Sequence, residues 1–318
     1  MGKASRTKQD SDRRARIAAQ REAERRAEQR KRIYLAGGSI LVVAIVVIAI
    51  VLVKLNSSPA SAAAAPTGTA LAAVTKQVEG IPTSVTNQVG DGGVDKALFQ
   101  STETSAQVTA AAANGDFFGT ANGTPLTSGG KPELLFMGAE YCPYCAAERW
   151  AMVNALSRFG TFSGLTTTHS SSTDADPNTP TFSFAKSTYT SKYLNFTSVE
   201  ETTNIPNGQG YYTTLQTPTA AETKLGQTYD PQGAIPFLDF GNKYVEVGNL
   251  APLDPSMLAG KNWSQVAAAM ASPSSSSLGS AEVANANYIT AAICKMTNNL
   301  PATACTPTIQ GLQADFAS

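Results

Sequence analysis

The longest unbroken hydrophobic pattern in the chain is a run of 21 uncharged residues at 33–53 (IYLAGGSILVVAIVVIAIVLV). At ~1.5 Å per residue such a run spans a hydrocarbon core of ~30 Å, so it predicts one transmembrane helix. Beyond it the apolar positions fall into shorter pieces. Short helices are expected at 70–78 and 82–89, and a strand at 133–137 (ELLFM). Past Cys142, Ala146, Trp150, Val153 and Leu156 recur at helical spacing until Gly160 ends the pattern. Strands are expected at 165–168, 181–185 and 193–199, around a Ser/Thr/Asp/Pro-rich loop at 170–179. A helix near 219–225 precedes a hairpin of 234–240 and 243–247 turning at Gly241-Asn242. Helices at 258–270 and 281–296, with a Ser-rich break at 272–277, complete the pattern. Strands interleaved with helices predict an α/β fold.

Charge changes the picture at the apolar run. The chain is neutral overall, yet residues 1–32 carry twelve Lys or Arg against five Asp or Glu. A basic flank stays cytoplasmic, so the bulk of the chain is expected outside, in a single-pass cell-membrane topology with a cytoplasmic N-terminus. A cleaved secretory signal is the competing reading, since small residues follow the run; a basic leader this long argues against it. The leader reads as a solvated, orienting segment, and no nucleic-acid partner is expected.

These patterns divide the chain into a leader (1–32), the span (33–53), a Ser/Ala/Pro tether (54–69) and an N-terminal extension (70–130). The main domain covers 131–271, and a C-terminal helix and tail cover 272–318.

The candidate chemistry is the Cys142-Pro143-Tyr144-Cys145 motif, placed by the pattern at a strand-to-helix junction. At a helix start the first sulfur meets unpaired N–H groups and the positive end of the dipole, which favour thiolate. Cys142 is then the attacking thiol and Cys145 the buried resolving thiol; Pro143 suits the first helical position because it has no N–H to satisfy. A zinc half-site and a purely structural disulfide are alternatives for the pair. The further cysteines, Cys294 and Cys305, read as a structural disulfide, with a second redox relay as the other reading. His169 reads as a surface histidine, though a place near a thiolate is open to it. No metal or cofactor is expected.

The strand at 133–137, the approach Ala139-Glu140-Tyr141, the CPYC motif and Ile235-Pro236 before an apolar strand resemble the thioredoxin superfamily. The resemblance covers roughly 132–270. It implies a thioredoxin-like fold with an insertion and N-terminal extension, preceded here by the transmembrane helix, and a cis bond at Ile235-Pro236 that docks extended substrate. Two departures stand out: Phe136 occupies the place of the family's buried acid, and Pro236 follows Cys142 by 94 residues. Within this resemblance the block GAEYCPYCAAERW is similar to a family of anchored thioredoxin-like proteins catalogued as domain of unknown function 929.

The expected function is therefore a membrane-anchored, extracytoplasmic thiol–disulfide oxidoreductase, with disulfide formation or isomerisation favoured over reduction. Cys142 and Cys145 carry the exchange; Ile235, Pro236, Tyr141 and Tyr144 border the substrate, and Pro143 and Glu140 support the site. Its partners are extracytoplasmic protein thiols and a membrane electron-transfer protein. The alternative is a thioredoxin-fold binding or assembly subunit of a membrane complex whose disulfide is not catalytic.

Overall fold

The computed structural model describes residues 62–93, 117–121, 123–248 and 253–316, which fall within one compact unit, Ser61–Ser318. Its helices are α1 (Gly68–Glu79), α2 (Thr83–Val89), α3 (Pro143–Ser157), α4 (Ala220–Tyr229), α5 (Trp263–Ala271), α6 (Ser277–Met296) and α7 (Pro307–Leu312). The strands are β1 (Phe117–Thr120), β2 (Thr127–Ser128), β3 (Lys131–Gly138), β4 (Gly160–Ser163), β5 (Thr166–His169) and β6 (Pro180–Ser183). They continue with β7 (Thr188–Ser191), β8 (Asn195–Glu200), β9 (Thr202–Pro206), β10 (Tyr212–Thr214), β11 (Phe237–Phe240) and β12 (Tyr244–Val247).

The apolar run in β3 is continuous because both of its faces are covered. Leu134 and Phe136 enter the core shared with α3 and α6, whereas Leu135 and Met137 pack on the opposite face with Val199, Phe237 and Tyr229. β3 lies at the centre of the main sheet, which runs β1, β12, β11, β3. On its far edge β2 pairs with Lys131 and Pro132, and β8 runs parallel from Glu133 to Gly138. β3, α3 and β8 thus form a parallel crossover unit, into which four short strands and the 170–179 loop are inserted. β11 and β12 form an antiparallel hairpin. Its turn takes positive φ at Gly241 (69°) and Asn242 (57°), the conformation a tight hairpin requires.

α3 and α6 are buried around nearly their whole circumference. Alanines at 147, 151, 155, 281, 286, 291 and 292 lie in the shared core, where small side chains let the two helices approach. An asparagine on each helix is tied to neighbouring backbone. Asn154 Nδ2 donates to Val78 O at 2.8 Å, and Asn287 Nδ2 donates to Thr86 O at 2.8 Å, which fastens α1 and α2 onto the core. Trp150 and Trp263 donate their indole N–H groups to Pro180 O and Thr181 O, anchoring β6.

The expected fold class needs correction. The described chain is a mixed α/β structure of seven α-helices with its sheets, and no helix among the described residues is long and apolar enough to cross a membrane. α6 reaches 20 residues, but Glu282, Asn285, Asn287 and Lys295 interrupt it with polar groups. The span expected at 33–53 lies outside the described residues, as do the leader and the first half of the tether. The helix expected at 258–270 is also two elements: a 3₁₀ turn at Pro255–Leu258, then α5, begun by a reciprocal cap between Asn262 and Gln265. Gly260 at φ 69° separates them.

Candidate functional site

β3 ends at Gly138 and the chain turns through Ala139-Glu140-Tyr141 into α3, with Cys142 as its N-cap. The Cys142 sulfur accepts from the Cys145 N–H at 3.2 Å, taking the place a Ser or Asp oxygen fills in most caps. Pro143 stands at the first helical position. Cys142 is 5 % exposed and Cys145 is fully buried, and both are free thiols. Gly138 makes room beneath them: a Cβ there would lie 2.5 Å from the Phe136 ring and 3.1 Å from the Cys145 sulfur.

The Ile235-Pro236 bond is cis, and it brings the Ile235 carbonyl to the pair; the Cys142 thiol donates to it at 3.7 Å. Residues 93 positions apart are thereby joined. Tyr141 lies flat on Tyr212 of β10, with ring centroids 4.3 Å apart, and is half-buried. Tyr144 points outward, 49 % exposed, from the first turn of α3. Glu140 turns elsewhere: its carboxylate accepts from Ser183 Oγ of β6 at 2.7 Å. His169 is half-buried on β5, with Asn204 and the Ser170 carbonyl as neighbours. Cys294 and Cys305 form a disulfide that ties the end of α6 to the segment before α7. Among the described residues no group of three or more His, Cys, Asp or Glu is arranged to hold a metal ion.

A charged layer absent from the sequence reading lies next to the thiols. Arg149, one turn past Cys145, is fully buried and donates from Nη2 to the Ala139 carbonyl at 2.8 Å. The same carbonyl accepts from the Cys142 N–H at 3.3 Å, so the guanidinium and the attacking cysteine share one backbone oxygen. Arg149 pairs with Glu200 at the end of β8 and lies over the Phe136 ring, 5.6 Å from its centroid. Its Nη1 has no hydrogen-bond partner among the described residues. A charge in the middle of the block CAAERW at helical spacing was the available signal for Arg149; nothing marked Glu200 or Tyr212.

These surroundings split the two thiols. Burial alone would raise Cys142; hydrogen bonds from the Cys145 side chain and backbone, the Arg149 charge and the Tyr144 N–H outweigh it, and the net direction is down. Cys145 goes well up, through burial, then its hydrogen bond to Cys142 and the charge of that sulfur. Burial, followed by the charges of the two sulfurs, pushes the Tyr141 phenol up to about 12, so it stays a neutral donor. One thiolate-prone sulfur that keeps a slight exposure, over one fully buried, protonated thiol, is an arrangement that can open and close a disulfide in sequence.

Residues 118–217 match the family described as Domain of unknown function (DUF929). The matched stretch contains β3, the CPYC motif, α3, Arg149, Glu200 and Tyr212. Ile235-Pro236 and the Cys294–Cys305 disulfide lie beyond it. No curated protein and no solved structure matches the chain.

Proposed function

We propose that this chain is a protein thiol–disulfide oxidoreductase of the thioredoxin-superfamily kind, acting on client proteins outside the reducing cytoplasm. The observation that carries the reading is the asymmetry of the pair: Cys142 caps α3 against the Ile235 carbonyl, while Cys145 is sealed one turn below. In the oxidising direction a client thiolate attacks Cys142 of the Cys142–Cys145 disulfide, forming a mixed disulfide and freeing Cys145. A second client thiolate then attacks the client sulfur of that mixed disulfide. The client leaves with a disulfide, and the pair holds two electrons and a proton on Cys145.

Groups that stabilise the Cys142 thiolate stabilise the reduced pair and so make its disulfide the stronger oxidant. The helix cap and Arg149 therefore favour disulfide formation or isomerisation over reduction. Turnover then needs an electron acceptor that restores the disulfide, a role that suits a membrane electron-transfer protein. The Cys294–Cys305 bond fits an oxidising compartment.

The test is a Cys145→Ala variant: its Cys142 thiolate attacks a client disulfide, the reverse of the last step above, expels one client thiolate and forms a mixed disulfide that no Cys145 thiol can resolve, so such adducts should accumulate. The reduction potential of the wild-type pair fixes the direction: about −120 mV suits an oxidant, about −270 mV a reductase. Absence of any trapped client together with no dithiol exchange by the purified protein would overturn the reading.

A further inference from the structure

A cavity of about 250 Å³ is lined in part by Met137, Ile235 and Phe237. Ile235 is also the residue whose carbonyl receives the Cys142 thiol at 3.7 Å, so cavity and attacking sulfur flank the same residue. At ~300–1,000 Å³, pockets for small molecules are larger. This one has room for a single long side chain.

Its charged lining is of one sign. Glu201 and Asp230 both face it, and no Lys, Arg or His lines it. Lys224 of α4 borders a different cavity, across the helix with Thr219 and Glu222. Asp230 is 3 % exposed, and its Oδ1 has no hydrogen-bond partner among the described residues. The last turn of α4, at Gly226 and Gln227, contributes to the same wall, and a helix C-terminus carries about half a negative charge. Burial raises both carboxyls above the usual range, and for Asp230 it does so against the N–H groups of Ala234, Gln232 and Gly233. Two partly desolvated carboxylates lining one cavity, Asp230 of them at the C-terminus of α4, call for a cation.

We propose that this cavity is a client subsite, built to receive a lysine or arginine side chain lying close in sequence to the client cysteine that exchanges with Cys142. The inference rests on the thiol–disulfide reading above for the identity of the client, and adds its specificity. An extended client advances ~3.3–3.6 Å per residue, so a cation one or two positions from its cysteine crosses Ile235 and reaches the carboxylates.

The experiment uses the full chain and three peptides with one cysteine, identical except for Lys, Gln or Glu two positions away. Exchange rates with the oxidised pair are measured by stopped flow, and dithiothreitol serves as a charge-independent reductant. Expected are a Lys peptide at least tenfold faster than its Gln counterpart, a Glu peptide slower still, and a Lys advantage that shrinks with salt. In Glu201→Gln and, separately, Asp230→Asn, the Lys-to-Gln ratio should fall toward one.

Equal rates for Lys and Gln in the wild type, or a Lys advantage unchanged in both variants, overturn the subsite. Serine-for-cysteine peptides, followed by calorimetry, separate the two ideas. Lys-selective binding that the variants lose, in a protein that fails to react even with dithiothreitol, upholds the subsite and removes the redox reading. Normal dithiothreitol exchange with no Lys selectivity in rate or binding does the reverse.

Discussion

Arg149 and Glu200 form an ion pair in which neither side chain is exposed, with Nη2 2.5 Å from Oε2 and Nε 2.8 Å from Oε1. The pair exists because β3 and β8 are parallel: Gly138 and Glu200 are partners at the C-terminal end of the ladder, where α3 departs. Glu200 also accepts from the Phe184 N–H at 3.2 Å, so the carboxylate is fixed on two sides. Removing one member of a buried pair leaves an uncompensated charge and costs roughly 3–5 kcal/mol, whereas replacing both by apolar groups is often close to neutral. Glu200→Gln should therefore lower the urea midpoint sharply, and Arg149→Met with Glu200→Leu should recover much of it. The double variant should not recover the thiol chemistry: without the guanidinium the Cys142 titration moves upward. Recovery of both properties would make Arg149 purely structural.

The split between the thiols predicts how they alkylate. Iodoacetamide reacts with thiolate, so the rate at Cys142 should have its midpoint below ~8.5, the value for a free cysteine. Cys145 should stay unmodified in the folded, reduced protein across the same range, since burial and the neighbouring sulfur hold its proton. Mass spectrometry of the alkylated protein separates the two positions. Modification of Cys145 first would reverse the roles assigned to them.

Three buried carboxyls meet between α3, β12 and α6. Glu148 accepts from Asn285 Nδ2 at 2.8 Å and shares a hydrogen bond with Glu246, and Glu282 lies close enough to feel its charge. Burial pushes Glu148 up to about 8 and Glu282 well above its ordinary range. Asp239, on the neighbouring strand, is pushed up to about 7. Because these folded-state values lie above the unfolded ones, the native state binds more protons. Their contribution is complete below about pH 4.5 and is lost as pH rises through about 8. Unfolding midpoints should fall between pH 5 and pH 8, and Glu148→Gln or Glu282→Gln should flatten the decline. A midpoint that rises over this interval in wild type and falls in the Gln variants would mean the cluster is ionised and compensated.

The legible part of this architecture is the part with a strong period. β3 is a plain apolar run, and the helix after it was marked by Ala146, Trp150, Val153 and Leu156. That pattern nevertheless implied one buried face, whereas Glu148, Arg149 and Asn154 are buried too, each hydrogen-bonded to a partner distant in sequence. Burial of such groups leaves no trace in hydropathy. The short ladders were illegible for the opposite reason: β4 and β7 are four residues each, and β9 and β10 are polar, with too few apolar positions to show a period of two. Consequently the two cysteines and Ile235-Pro236 were found, and the Arg149–Glu200 pair and the Tyr141–Tyr212 stack were not. Those contacts join elements that only the folded sheet brings together.

The Cys294–Cys305 disulfide closes an 11-residue interval at the end of α6, where both cysteines are buried. It holds α7, whose Ile309 and Leu312 cover the core beside Phe316, and Thr306 at the start of α7 donates to Asn87 Oδ1 at 2.8 Å. Closing a loop of this order restricts the unfolded chain by roughly 3 kcal/mol in the chain-entropy account. Cys294→Ala with Cys305→Ala should therefore lower the denaturation midpoint by a corresponding amount. The double variant should leave Cys142 alkylation and the wild-type reduction potential of the pair unchanged, because Cys142 and Cys145 are held by each other and by the Ile235 carbonyl, while Cys294 and Cys305 tie α6 to α7. A structural staple moves stability alone. If catalytic turnover with a protein electron acceptor collapses while stability and the isolated pair's potential hold, Cys294 and Cys305 pass electrons to the pair and the structural assignment fails.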